Sequence, residues 1–206
     1  IEFSLLYTLS ASILFWGIIT GTYFGSEQIA QIPFLSQFIV DKLASFGGDA
    51  VFSQKFMFIV GATHLSVAHL QIAIREINSV RAIGQLGWIL LTWGLYFAVV
   101  QMVLLEPSSE TMVWLLSAGG TLIALFSNAG TNFFKGMLSS LGGLPMSMIN
   151  GFSDVISYIR LYAVGMAGVL MSESFNEMAI GSGITTIMAG VGAVLVLVLG
   201  HGLNMV

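Results

Sequence analysis

The sequence contains no cysteine and few charged residues. The lack of cysteine excludes disulfides and thiolate metal sites. Charged residues make up 8% of the chain, against roughly 25% in an ordinary soluble domain, so the chain lacks the charged surface that a soluble protein needs. The net charge of -4 is small and scattered, which argues against a nucleic-acid partner.

The chain is instead rich in apolar residues and glycine. Hydrophobic residues account for 56% of the chain, and it contains 24 glycines. Glycine is common in transmembrane helices because it lets helix backbones approach closely. No alternation of apolar and polar residues repeats at the spacing of a membrane barrel. We therefore expect an all-α membrane protein in contact with a lipid bilayer.

Six apolar stretches are candidates for transmembrane helices, since a bilayer core needs about 20 mostly apolar residues in a helix. We predict about six such helices in a single domain over residues 1–206. Residues 26–50 form the longest connection, and residues 127–144, rich in Gly, Ser and Asn, are predicted to be a loop or an interfacial piece. The predicted helices cover residues 3–24, 52–74, 83–105, 111–127, 149–171 and 184–206, approximately.

The loop charges predict how the chain is oriented. Short cytoplasmic loops collect Lys and Arg, and here basic loops alternate with loops that carry only acidic residues. Both chain ends should therefore face the cytoplasm. Because the chain begins without methionine and stops inside an apolar stretch, we expect it to be a piece of a longer protein. The basic loop residues are Arg75, Arg81 and Lys135, and the acidic ones are Glu106, Glu110, Glu173 and Glu177.

Arg160 lies at the middle of the fifth predicted helix, residues 149–171. Near the bilayer centre an arginine costs about 2.5–3.5 kcal/mol, and its guanidinium stays protonated at physiological pH. Asp154 is a poor partner because it lies about 120° away around the helix. The missing counter-charge predicts an acidic partner on another subunit. A structural ion pair inside the helix bundle is the alternative.

The helix face around Arg160 is small or hydroxylated. Small residues on such a face allow another helix to pass very close. Helical periodicity places on this face Ser153, Ser157, Ala163, Val164, Ala167, Met171 and Ser174, flanked by Asn150 and Gly168.

The histidines have two interpretations each. His64 and His69 lie about 140° apart on the second predicted helix, so they cannot bind one metal ion together, and each is either a hydrogen-bonded packing residue or a proton relay. His201 and Asn204 share a face of the sixth helix and either bond to the fifth helix or line an ion path. No metal-ligand spacing, phosphate-binding loop or catalytic triad is present, so we predict no cofactor and no enzymatic active site.

Several motifs carry a resemblance to a known family. The run from Gly151 to Ala163, Gly-Phe-Ser-Asp-Val-Ile-Ser-Tyr-Ile-Arg-Leu-Tyr-Ala, closely resembles the arginine helix of subunit a, also called subunit I, of V/A-type rotary ATPases. The acidic Asp154 is more similar to prokaryotic than to vacuolar members. Supporting motifs are Gly21-Thr22-Tyr23-Phe24-Gly25, Gly61-x-x-His64-Leu65 and Gly200-His201-x-x-Asn204.

The resemblance implies the last six helices of an eight-helix membrane domain behind a cytoplasmic domain, cut before a second arginine of the last helix. It implies a non-catalytic stator subunit in a prokaryotic plasma membrane, with other stator and soluble ATPase subunits as partners. In the family, the arginine faces a ring of proteolipid subunits that each carry one carboxylate. Two half-channels lead protons or sodium ions to that ring.

Polar residues near Arg160 are candidates for lining these half-channels. An ordinary role at a helix end or in a loop is the alternative for each of them. A stand-alone transporter or channel is the alternative function, but it would need an internal repeat, and Arg160 has no counterpart in the first three predicted helices. The candidates are Asn150, Ser153, Asp154 and Ser157 on the cytoplasmic side, Glu173, Ser174 and Glu177 near the outer mouth, and His201 and Asn204 in the last helix.

Overall fold

A computed structural model describes residues 3–128, 133–181 and 183–204, and all the regular secondary structure in these ranges is helical. An all-α fold was predicted from composition, and the structure confirms it. A short 3₁₀ turn covers Asp41–Leu43. The α-helices are α1 Phe3–Thr20, α2 Glu27–Ala30, α3 Pro33–Ser36, α4 Ala50–Arg75, α5 Arg81–Leu104, α6 Glu110–Phe126, α7 Phe133–Ser157, α8 Ile159–Ile180 and α9 Ile187–Asn204.

Within these ranges, five helical segments are long and apolar enough to cross a membrane. They are α1, α4, α5, the stretch Phe134–Ile180 that joins α7 and α8, and α9. The apolar helix α6 has 17 residues, which is about 25 Å at 1.5 Å per residue and short for a core of about 30 Å. The architecture is therefore that of a helical membrane domain, and α6 has the same length as the short helix predicted over residues 111–127.

Of the two alternatives predicted for residues 127–144, a loop or an interfacial piece, the loop is wrong from Phe133 onward; residues 129–132 lie outside the described part. Helix α7 begins at Phe133 and continues through Pro145 to Ser157. Glycine, serine and proline disfavour helices in water, where the backbone can bond to solvent instead. In lipid a backbone without partners is far more costly, so a helix is kept even through proline.

The fifth predicted helix, residues 149–171, is also revised. The structure divides this region between α7 and α8, with Tyr158 between them. Together they form an apolar stretch of 47 residues, about 70 Å at 1.5 Å per residue. This is over twice the length that one vertical crossing of the bilayer core requires.

The chain divides into two compact units, residues 1–53 with 162–206 and residues 54–161. The second unit has its core where α4, α5 and α7 meet. Phe58 of α4, Val99 of α5 and Val155 of α7 are fully buried there. This contact fixes the C-terminal end of α7, the part of the unit that leads to Arg160.

Helices α5 and α6 approach closely through glycines in the same unit. A Cβ atom placed on Gly119 would lie 2.7 Å from the Leu91 nitrogen and 2.8 Å from the Gly87 carbonyl oxygen. A side chain at Gly119 would therefore force the two helices apart. Such small-residue contacts are a usual source of helix association in membranes, where lipid and side chains are equally apolar.

In the first unit, the connection between α1 and α4 folds back onto the end of α1. The Val40 N–H donates to the Ile19 carbonyl at 2.9 Å, and the Ser45 N–H donates to the Thr20 carbonyl at 2.8 Å. Gly21 adopts a positive φ of 69°, and the Ile39 side chain packs directly against it. The residues after α1 are therefore fixed to its last turn.

We expect Gly119→Ala to lower the midpoint of thermal unfolding of the detergent-solubilised protein, because overpacking a close contact costs about 1–3 kcal/mol. Gly120→Ala is the matched control, since a Cβ atom there meets nothing within 4 Å. An equal fall in the midpoint for both variants would contradict this view of the α5–α6 contact.

Candidate functional site

Arg160 lies in the first turn of α8, just after the break at Tyr158. The sequence predicted it at the middle of a helix over residues 149–171, and it is still near the middle of the apolar stretch Phe134–Ile180. Its side chain is exposed, and its Nη2 donates a hydrogen bond to the Ser157 hydroxyl at 3.0 Å. Among the described residues of its own unit, no carboxylate forms an ion pair with Arg160. Its charge is therefore met there by a neutral hydroxyl.

Most of the helix face predicted around Arg160 is open. Ser157 and Gly168 are half-buried, whereas the exposed members are Asn150, Ser153, Ala163, Val164, Ala167, Met171 and Ser174.

Tyr158 makes the break between α7 and α8. Its N–H donates to the Val155 carbonyl at 3.2 Å, and its own carbonyl accepts from the Leu161 N–H at 3.1 Å. Both bonds span three residues instead of the four of an α-helix. The chain therefore makes a tight turn immediately before Arg160.

The side chain of Tyr158 is held by α4. Its hydroxyl lies 2.6 Å from Nδ1 of His64, and its ring covers Gly61, where a Cβ atom would lie 2.7 Å from a ring carbon. Gly61 and His64 are three residues apart, so they lie on one face of α4. The Gly-x-x-His motif thus binds the residue that turns the chain toward Arg160, and this contact is of the kind that the packing interpretation of His64 expects.

His69 has a different environment. Its Nδ1 lies 2.9 Å from Oε1 of Gln85, and the tautomer with hydrogen on Nδ1 would donate to that oxygen. Its ring stacks on Trp88 with 5.7 Å between the centroids. In the neutral ring Nε2 is left as an acceptor.

A cavity of about 200 Å³ lies beside His69 in the second unit. Its polar lining groups are contributed by α4, α5 and α7. The volume has room for several water molecules, and its polar groups supply the partners that water needs. Of the predicted half-channel residues it brings together Asn150 and Asp154, whereas Ser153 and Ser157 lie outside its lining. The lining residues are Leu65, His69, Trp88, Leu91, Thr92, Leu95, Ser147, Asn150, Gly151 and Asp154.

In the first unit, the polar residues of α9 bond to α8. Asn204 Nδ2 donates to the Gly168 carbonyl at 3.0 Å and to the Ser172 hydroxyl at 2.7 Å. His201 Nε2 lies 2.9 Å from Oδ1 of Asn176. The interhelical hydrogen bonds that were one interpretation of His201 and Asn204 are therefore present.

The polar residues further along α8 have few partners. The Ser174 hydroxyl donates to the Leu170 carbonyl within the same helix at 2.8 Å. Glu173 and Glu177 are exposed and lie one turn apart, and neither forms an ion pair with a described residue of the first unit. They form a small acidic surface on α8.

Sequence patterns missed Tyr158, Gln85, Ser172 and Asn176 as partners of the polar residues. The spacing of Ser172 and Asn176, four residues apart on α8, was a signal of a shared face. No group of three or more potential metal ligands is present in the described ranges.

Comparison with known proteins gives consistent matches. The chain is 35% identical to V-type ATP synthase subunit I of Borreliella burgdorferi over 97% of its length, covering 35% of that protein. It is 30% identical to V-type ATP synthase subunit I 1 of Treponema pallidum over 96% of its length, covering 33%. It therefore spans about a third of the length of these curated relatives. No family model and no solved structure matches.

We expect Tyr158→Phe to lower the thermal unfolding midpoint of the solubilised protein, because the lost bond to His64 is worth about 0.5–1.5 kcal/mol. Tyr162→Phe is the control, since the Tyr162 hydroxyl has no hydrogen bond to described residues of its unit. Gly61→Ala should lower the midpoint further by displacing the ring. Unchanged midpoints for both Tyr158→Phe and Gly61→Ala would contradict the proposed contact.

Proposed function

This chain belongs to the family of V-type ATP synthase subunit I, and on that premise we propose that it forms the ion-conducting membrane part of a rotary ATPase stator. It would be a non-catalytic piece of a longer subunit, containing the last six helices of an eight-helix membrane domain. The partners would be a ring of proteolipid subunits, together with the other stator and soluble subunits. The proposed location is a prokaryotic plasma membrane, with both ends of this chain in the cytoplasm.

The state of Arg160 is the observation that carries the proposal. A guanidinium remains charged at physiological pH, and an unpaired charge in an apolar span is costly. Arg160 is exposed and bonded to a hydroxyl, without a carboxylate from its own unit. An acidic group on a neighbouring subunit would supply the missing counter-charge.

A rotor carboxylate would change its charge as it moves past Arg160. While it faces lipid it is neutral, because desolvation raises its pKa, or it is neutralised by a bound cation. Beside the guanidinium the ionised form is favoured, so the carboxylate releases its proton or sodium ion there. The fixed positive charge also repels cations that would otherwise pass directly between the half-channels. Rotation of the ring is then the route that remains.

The cavity beside His69 is the proposed cytoplasmic half-channel. Asn150 and Asp154 line it together with Ser147 and Thr92, so water or a cation would find hydrogen-bonding groups there. His69 has a free acceptor at Nε2 in its neutral form and would relay protons along this lining. Ser157 positions Arg160 in this scheme.

The outer mouth is assigned to the exposed carboxylates of α8. Glu173 and Glu177 would raise the local concentration of cations through their charge, with Ser174 beside them. We assign His201 and Asn204 a packing role, which their bonds to α8 support.

We expect Arg160→Ala to abolish ATP-driven ion pumping in membrane vesicles, while the complex still assembles. Arg160→Lys should also fail largely, because an ammonium differs in reach and can lose its proton when desolvated. Pumping at the normal rate by Arg160→Ala, or ion conduction by the isolated subunit without the ring, would contradict the proposal.

We expect Asp154→Leu to reduce the pumping rate by an order of magnitude or more, because a branched apolar side chain fills and dries the cavity. Asp154→Asn is the matched control: it keeps the size and the polar lining and should retain most of the rate. Normal pumping by Asp154→Leu would remove this cavity from the ion path.

A further inference from the structure

The connection between α1 and α4 contains an unusually apolar exposed surface. No charged residue occurs between Glu27 and Asp41. Large apolar side chains in this segment are exposed, with Phe34 at 68% and Phe38 at 49%. Contiguous exposed apolar surface of this kind marks a binding surface or contact with a membrane. Ile32 adds to it at 45%.

The exposed side chains of Phe34 and Phe38 form one apolar knob, on a short helix and the turn that follows it. Helix α3 starts with Pro33, which is favoured at a first helical position, and ends at Ser36. Phe34 and Phe38 are four residues apart, and their rings meet edge to face with centroids 5.7 Å apart. The two rings therefore project together and would bury their surface together.

The contacts of this segment with the end of α1 determine where the knob lies relative to the membrane. Val40 bonds to Ile19 in the last turn of that helix, and Ile39 packs on Gly21 directly after it. The connection therefore lies against the end of an 18-residue apolar span instead of projecting far from it. The end of such a span is the level of the membrane–water interface, where aromatic side chains are enriched.

We propose that the segment Ile29–Val40 is an interfacial anchor, which inserts Phe34 and Phe38 among the lipid headgroups and upper acyl chains. The flanking Glu27, Asp41 and Lys42 remain in water. Lipid is the fitting occupant because the knob is continuous with α1, a helix with no buried residue among those described. Insertion of an apolar face to the headgroup–acyl boundary is a known mode of membrane binding. This inference does not depend on the role of Arg160.

The absence of cysteine from this chain makes a labelling test direct. Single cysteines replace Phe34, Phe38 or Asp41 in a cysteine-free full-length subunit, within the complex reconstituted in phosphatidylcholine–phosphatidylglycerol vesicles. Each carries a nitroxide spin label, and its collision rates with oxygen, which concentrates in lipid, and with a water-soluble nickel chelate are measured. We expect the oxygen-to-nickel ratio to be several-fold higher at positions 34 and 38 than at 41.

Two results would overturn the anchor. Free access of the nickel chelate to positions 34 and 38 would place the knob in water. Shielding from both reagents would show that a protein partner covers it. If the cysteine variants fail to assemble, Phe34→Trp keeps an aromatic ring. The fluorescence that it adds to that of the four native tryptophans must be quenched by brominated phosphatidylcholine; added fluorescence that is not quenched would also reject the anchor.

Discussion

The charge of Arg160 is the constraint on which the rest of this structure depends. Most of the chain consists of apolar helices whose backbone bonds are satisfied internally, and such a chain needs no cation. Within its own unit Arg160 has a hydroxyl as its hydrogen-bond partner and no carboxylate among the described residues. Folding alone does not explain the cost of that charge, and under the proposed function a counter-charge from another subunit would account for it.

The surrounding structure positions this charge through close packing. Val155 buries the end of α7 against α4 and α5, and the Gly61–His64 face of α4 holds Tyr158. The turn at Tyr158 then brings Ser157 within hydrogen-bonding distance of Arg160. Direct contacts hold Val155, Tyr158 and Ser157 in turn, and they therefore restrict where the exposed guanidinium of Arg160 can lie. A defined position is needed if each carboxylate of a moving ring is to meet the same cation.

Composition and helical periodicity predicted the helical class and most of the apolar spans, because these depend on local sequence. Prediction from local sequence failed at α7. Glycine, serine and proline usually end a helix in water, but here the helix continues through Pro145. They also could not find the contact between His64 and Tyr158, which lie 94 residues apart. The cavity beside Asp154 could not be predicted from the sequence either, since three helices contribute to it. Contacts between distant residues leave no periodic signal.

Cross-linking tests most directly whether an acidic group from the ring meets Arg160. A cysteine at Ala163, exposed one turn after Arg160, is paired with a cysteine one turn from the proteolipid carboxylate and oxidised in the assembled complex. The account predicts a disulfide between stator and ring, which requires Cβ atoms to come within about 3.5–4.5 Å. Val169→Cys, at a buried position of α8, should give none. Absence of the cross-link at position 163, or equal yields at both positions, would contradict the account.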